Sequence, residues 1–238
     1  MAEAEETVAA PKSLGLDVVR SFRCRAILFD LDGVLVDSAE RVEKTWRKWA
    51  TRHRLDPEHV IAMAHGRRTI ETVRLVAPEL SIDAELHALE ASEATNPEGV
   101  YEIAGARELL QRLPASRWAV VTSGIRAVAE FRLRYTGLPL PAVMICADEI
   151  THGKPDPEGY LTAAARLGYS PADCIVIEDA PAGIESAQAA GMRAIAIATT
   201  YPSEQLRSAD AVVARLADLL VEHAGDEIQI SFPAPPVV

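Results

Sequence analysis

The sequence predicts an α/β fold, a parallel sheet wound with helices on both faces and interrupted after its first strand by an all-helical insertion. Three observations predict it. Short apolar runs alternate with helix-length amphipathic stretches through residues 23–37 and 100–225, and uninterrupted apolar strands separated by helices belong to parallel sheets covered on both faces. Between residues 38 and 99 the alternation stops, and every segment reads as helix. The residues that end the apolar runs are acidic, hydroxylic or glycine-rich, as expected at the carboxyl edge of such a sheet, where ligands bind.

The elements follow in order. Residues 1–22 are acidic at their start, lack a basic region followed by an apolar one, and read as a mobile arm rather than a leader. The first strand is expected near Ile27–Phe29, within "RAILFDLDGVLVDS". Residues 38–99, with "AERVEKTWRKWATRH", "PEHVIAMAHG", "RTIETVRLVAPEL" and "DAELHALEASEA", are too long for a connection and predict a helical cap over the strand ends. Further strands are expected near Trp118–Val121, Val143–Cys146, Cys174–Ile177 and Ala194–Ala198. Helices such as "GARELLQRL", "DPEGYLTAAARLG" and "AGIESAQAAG" separate them. Residues 226–238, ending in "PAPPVV", read as a tail.

Composition narrows the function. The 238 residues are 49% hydrophobic and 25% charged, ordinary for a soluble globular chain. A net charge of −11 and a pI near 5.0 argue against a nucleic-acid partner. No apolar run approaches membrane-spanning length. Three unpaired cysteines, Cys24, Cys146 and Cys174, read as small buried thiols of a reducing compartment, so the expected location is cytoplasmic. Nothing in the sequence forces a dimer.

The strand ends gather the chemistry. Asp30 and Asp32 follow the first strand, Thr122-Ser123-Gly124 the second, and Glu178-Asp179 the fourth, while "THGKPDP" brings Lys154. Asp-x-Asp-Gly does not continue as a calcium loop, because Val34 and Leu35 stand where an oxygen ligand and a glycine are needed. Each group alone has a bland reading as turn, cap or solvated charge; together and in this order they describe a site. Clustered carboxylates suit Mg²⁺, and hydroxyl, ammonium and loop amides suit phosphate. Only four of the 24 basic residues are lysines, and Lys154 is the one after Lys48; a chain that otherwise uses arginine places a compact, flexible charge here.

The motifs "FDLDG", "VVTSG", "GKPDP" and "VIEDAPAGI" resemble those of the haloacid dehalogenase superfamily, in its phosphatase branch with a helical cap. The resemblance spans about residues 25–225 and implies a Rossmann-like core. It implies Asp30 as nucleophile, Asp32 as acid and then base, and Thr122 and Lys154 as phosphoryl-binding groups. Mg²⁺ would be held by Asp30, the Asp32 carbonyl and Asp179, with Glu178 direct or through water. Gly33, Ser123 and Gly124 would line the phosphate loops. "AHGRRTIETVRLVAPEL" and "AIATTY" look most like sugar- and polyol-phosphate phosphatases, such as those acting on 2-deoxyglucose 6-phosphate and glycerol 3-phosphate. The cap residues His65, Gly66, Arg67 and Arg68 would then face the small phosphorylated substrate, Arg68 as the family's arginine, although Glu71 departs from its usual Asp.

Three rivals stay open. A sugar phosphomutase would share the motifs but carry a histidine where this chain has Val42. A true dehalogenase would lack the second aspartate, since a halide leaves without a proton. A phosphometabolite sensor on the same fold would bind without turnover.

Overall fold

The computed structural model describes residues 19–64 and 66–233. The chain begins with β1 (Val19–Cys24), β2 (Ala26–Phe29) and β3 (Val36–Asp37), then runs through α1 (Ala39–His53), α2 (Pro57–Ala64), α3 (Thr69–Val76) and α4 (Ile82–Glu93). After β4 (Tyr101–Glu102) come α5 (Ala106–Gln111), β5 (Trp118–Val121), α6 (Arg126–Thr136), β6 (Val143–Ile145) and α7 (Glu158–Leu167). The chain closes with β7 (Cys174–Glu178), α8 (Pro181–Ala189), β8 (Arg193–Ile197), β9 (Ala211–Val213), β10 (Leu220–Ala224) and β11 (Glu227–Pro233).

Six strands form a parallel sheet in the order β6-β5-β2-β7-β8-β9. All of β2, β5 and β7 is buried. Along β2 successive side chains alternate between two cores: Ile27 and Phe29 join α5, α6 and the small C-terminal sheet, whereas Ala26 and Leu28 join α7 and α8. Burying each large aliphatic or Phe side chain contributes about 1.5–3 kcal/mol, so this two-sided burial fixes β2 as the central strand and Asp30 as the first residue beyond it. The expected fold class is the observed one. β9 was not anticipated; three residues carry too little pattern to stand out.

The four cap helices have their own core, with Trp46, Trp49, Val60, Ile61, Val73 and Leu89 buried. On α1, Trp46, Trp49 and Ala50 fall three and four residues apart and share its buried face. The chain leaves the core through β3 and returns through β4, and these two strands pair antiparallel, Val36 opposite Glu102. The two passages between core and cap are thus bound side by side.

Two segments expected to lie outside the fold belong to it. Val19–Cys24, which overlaps the expected arm, and Glu227–Pro233, within the expected tail, pair antiparallel in a second sheet ordered β1-β11-β10. Ile228, Ile230 and Phe232 are buried while the residues between them are half exposed. That two-residue alternation was present in "EIQISFP"; the prolines behind it made the segment read as tail. Phe22 and Phe232 meet edge to face at 5.2 Å. The remainder of both expected terminal segments, 1–18 and 234–238, lies outside the described residues, as does His65.

Candidate active site

Cap and core enclose a cavity of about 350 Å³ over the carboxyl ends of β2, β5 and β7, a size suited to a small ligand. Asp30, Asp32, Gly33, Thr122, Ser123, Gly124, Lys154, Glu178 and Asp179 all line it, so the structure brings the predicted core residues together. From the cap, Gly66 and Arg67 also line it.

Lys154 is the hinge of the charge arrangement. Its side chain is 7% exposed. Nζ donates to Asp30 Oδ1, to Glu178 Oε1 at 2.6 Å and to the Val121 carbonyl at 3.3 Å. Burial pulls the ammonium's pKa down, but Asp30 and Glu178 outweigh it and hold the pKa well above the ordinary lysine range. Glu178 is occupied on both oxygens. Oε1 also accepts from the Tyr160 hydroxyl at 2.9 Å, and Oε2 accepts the N–H groups of Asp179 and Ala180 at 2.9 and 3.1 Å. This anchors Lys154 from behind. A Cβ on Gly183 would lie 1.7 Å from Glu178 Oε1, which is why the helix after β7 carries glycine there.

Asp30, Glu178 and Asp179 offer carboxylate oxygens within 4.8 Å of one another. Three acids against one lysine leave an excess of negative charge in a buried place. The Asp30 carboxyl is pushed up to about 7, by burial first, with Glu178 and Asp32 adding and Lys154 opposing. Asp179 is raised by burial, Glu178 and Asp30. Gly33, at φ +82°, passes so close to Asp179 that a Cβ would sit 1.9 Å from Oδ2. Hard oxygen donors crowded in a buried place with too little positive charge are a donor set suited to Mg²⁺. Glu178 has both oxygens engaged, so among the three it is Asp30 and Asp179 that keep capacity for a metal.

A carboxyl whose folded pKa is raised binds its proton more tightly folded than unfolded, so its contribution to stability is present at low pH and lost as pH rises from about 4 through 7. A divalent cation held by these carboxylates would compete with that proton. In chelator-treated protein, the rise in Tm on adding Mg²⁺ is expected to be larger at pH 8 than at pH 5, measured by thermal melts; an equal rise at both would contradict it.

Asp32 stands apart from this cluster. Its Oδ1 accepts from the Ser38 hydroxyl at 2.7 Å and pairs with Arg132 Nη1 at 2.6 Å. Thr122 is buried, and its Oγ1 accepts the Gly124 N–H at 3.0 Å. The Ser123 hydroxyl donates to the Gly66 carbonyl at 3.0 Å, a bond between core and cap.

The adjacent cap arginines diverge. Arg67 lines the cavity, whereas Arg68, expected to face the substrate, does not. Arg68 is the N-cap residue of α3; Glu71 accepts its Nε–H at 2.7 Å, and its Nη1 and Nη2 donate to the Ile150 and Thr151 carbonyls at 3.2 and 3.0 Å. Those bonds turn it onto the core surface outside the cavity. Arg126, a surface residue by its sequence position, pairs with Glu149 at 2.5 Å. Arg132, Glu93 and Tyr160 were not anticipated. For Arg132 the signal was available: an arginine on the apolar face Val128, Ala129, Leu133 of α6.

A family profile described as haloacid dehalogenase-like hydrolase matches residues 24–191. The chain is 43% identical to hexitol phosphatase A of Escherichia coli over 204 residues, 84% of this chain and 94% of that protein. It is 36% identical to glycerol-1-phosphate phosphohydrolase 2 of Saccharomyces cerevisiae, over 79% of this chain and 80% of that one. With the 2-deoxyglucose-6-phosphate phosphatase 2 of the same yeast it shares 33% identity over 87% and 95%.

Proposed function

The chain belongs to the haloacid dehalogenase-like hydrolases and is a phosphoric monoester hydrolase, and on that premise we propose that it hydrolyses small sugar or polyol phosphates in the cytoplasm, with Mg²⁺, through an aspartyl-phosphate on Asp30. The observation that carries the reading is Lys154, buried and held against Asp30 by Glu178 at the floor of a cap-covered cavity. A carboxylate so placed can attack phosphorus while its ammonium partner takes up the charge of the phosphoryl oxygens.

The residues divide the work. An Asp30 oxygen forms a bond to phosphorus as the bond to the substrate oxygen breaks, and Asp32 gives that leaving oxygen a proton. Asp32 then takes a proton from water, whose oxygen attacks the same phosphorus and frees Asp30 and inorganic phosphate. Thr122, Ser123, Gly124 and Gly33 frame the phosphoryl group, with Gly66 and Arg67 closing over it from the cap. Held by Asp30, the Asp32 carbonyl and Asp179, with Glu178 through water, the metal would offset phosphate charge during transfer. The three named relatives support a sugar or polyol substrate. Val42 puts an apolar side chain in the cavity where the mutase reading wants a histidine.

The test is inorganic phosphate release from a panel of hexose, hexitol, glycerol and nucleotide monophosphates, with and without Mg²⁺. A Mg²⁺-dependent preference for hexose, hexitol or glycerol phosphates is expected. A folded protein that binds Mg²⁺ and releases no phosphate from any of them would overturn the reading. In the same assay Arg67→Ala is expected to raise KM about tenfold, the loss of one charge-assisted bond. An unchanged KM would remove Arg67 from the substrate site.

A further inference from the structure

Arg132 is a charge set on an apolar helix face. Its side chain is 3% exposed, on the side of α6 that also buries Val128, Ala129 and Leu133. Nη1 lies 2.6 Å from Asp32 Oδ1, and Nη2 pairs with Glu93, the last residue of the cap helix α4. Nε is buried with no partner among the described residues. Packing alone would favour an aliphatic residue here, since a buried guanidinium is costly even when paired. Among the described residues its direct ion pairs are with two carboxylates, Asp32 from the core and Glu93 from the cap, and Asp30 adds to the negative charge nearby.

The contacts of Asp32 are as one-sided. Ser38 and Arg132 both engage Oδ1, while Oδ2 has no partner among the described residues and belongs to a side chain that lines the cavity. One oxygen is pinned and the other left to whatever the cavity holds. A carboxyl group that must pass a proton to a leaving oxygen needs that division.

We propose that Arg132 and Glu93 are a positioning pair. Arg132 holds Asp32 with one oxygen presented to the leaving group, and Glu93 holds Arg132, so that Asp32 is set in place only when the cap helix is seated on the core. The guanidinium is planar and its two Nη groups are fixed relative to each other, so movement of Glu93 with the cap turns the group that grips Asp32. This rests on the reading of Asp32 as the acid of the first step.

Leaving-group dependence tests it. A sugar or polyol phosphate expels an alkoxide that needs a proton; p-nitrophenyl phosphate expels a phenolate that does not. The quantity to compare is kcat/KM, which reports events up to release of the alcohol. With the alkyl phosphate, Glu93→Gln and Arg132→Lys are each expected to lose about tenfold or more, and with the aryl phosphate at most about threefold. Asp32→Asn should show the same split more strongly. Equal losses on both substrates, or none on either, while Asp32→Asn keeps the split, would overturn the pair. No split in Asp32→Asn would instead overturn the acid role itself, and the pair with it. Glu93→Gln leaves Arg132 paired with Asp32 and carries the test if Arg132→Lys fails to fold, as judged by circular dichroism.

Discussion

Asp30→Asn is expected to lower phosphate release by about 10⁴–10⁶-fold, the scale on which an enzyme loses a covalent nucleophile. Uncatalysed monoester hydrolysis is among the slowest biological reactions, with enzymatic accelerations up to about 10²¹-fold, so residual catalysis by binding alone remains far below turnover. The amide is nearly isosteric with the carboxyl group and keeps an oxygen for Lys154. It also removes one of three clustered buried acids. The variant should therefore be folded and, without Mg²⁺ at neutral pH, no less stable than the parent. Circular dichroism and thermal melts beside the phosphate assay check both halves. Turnover within tenfold of the parent would show that Asp30 is not the nucleophile.

Lys154→Met is expected to destabilise the protein by about 3–5 kcal/mol as well as to silence it, because removing one partner of a buried ion pair leaves the other charge uncompensated. Here two partners are stranded, Asp30 and Glu178, both buried. The deficit should be smaller at pH 5 than at pH 7.5, because Asp30, already pushed up to about 7 with Lys154 present and higher without it, carries a proton in the folded state at pH 5 in parent and variant alike. Urea unfolding at pH 7.5 and pH 5 measures this; an equal deficit at both would contradict it. Lys154→Arg keeps the charge but not the shape. A planar fork does not fit where a single nitrogen meets Asp30 Oδ1, Glu178 Oε1 and the Val121 carbonyl. It too is expected to lose most activity, and a near-normal rate would show that charge alone suffices.

The parts of the fold that could be read from the sequence are those in which burial is strongest. β2, β5, β7 and β8 are near-continuous apolar runs because both sheet faces are covered, and the abrupt change to Asp30, Thr122 and Glu178 marks where cover gives way to the cavity. β11 was harder, since only one of its faces is buried and prolines follow it. The cap could be recognised as a helical insertion, but not which arginine it turns inward. Arg67 and Arg68 occupy the turn before α3, where neither helical nor strand periodicity assigns a direction; the bond to Glu71 and the carbonyls of Ile150 and Thr151 decided it. Arg132 illustrates a different limit. Its position on an apolar face was visible, but its partners come from residues 32 and 93, one in a loop and one in the cap, and sequence distance says nothing of such a meeting.

The proposed mechanism stands or falls on Asp30 carrying the phosphoryl group. It is tested most directly by acid-quenching the enzyme during turnover of a hexitol phosphate with Mg²⁺ and weighing the peptide that contains Asp30. A fraction of that peptide is expected to be heavier by one phosphoryl group, absent without substrate and absent in Asp30→Asn. Rapid turnover with the added mass on another residue, or with full activity surviving in Asp30→Asn, would contradict it.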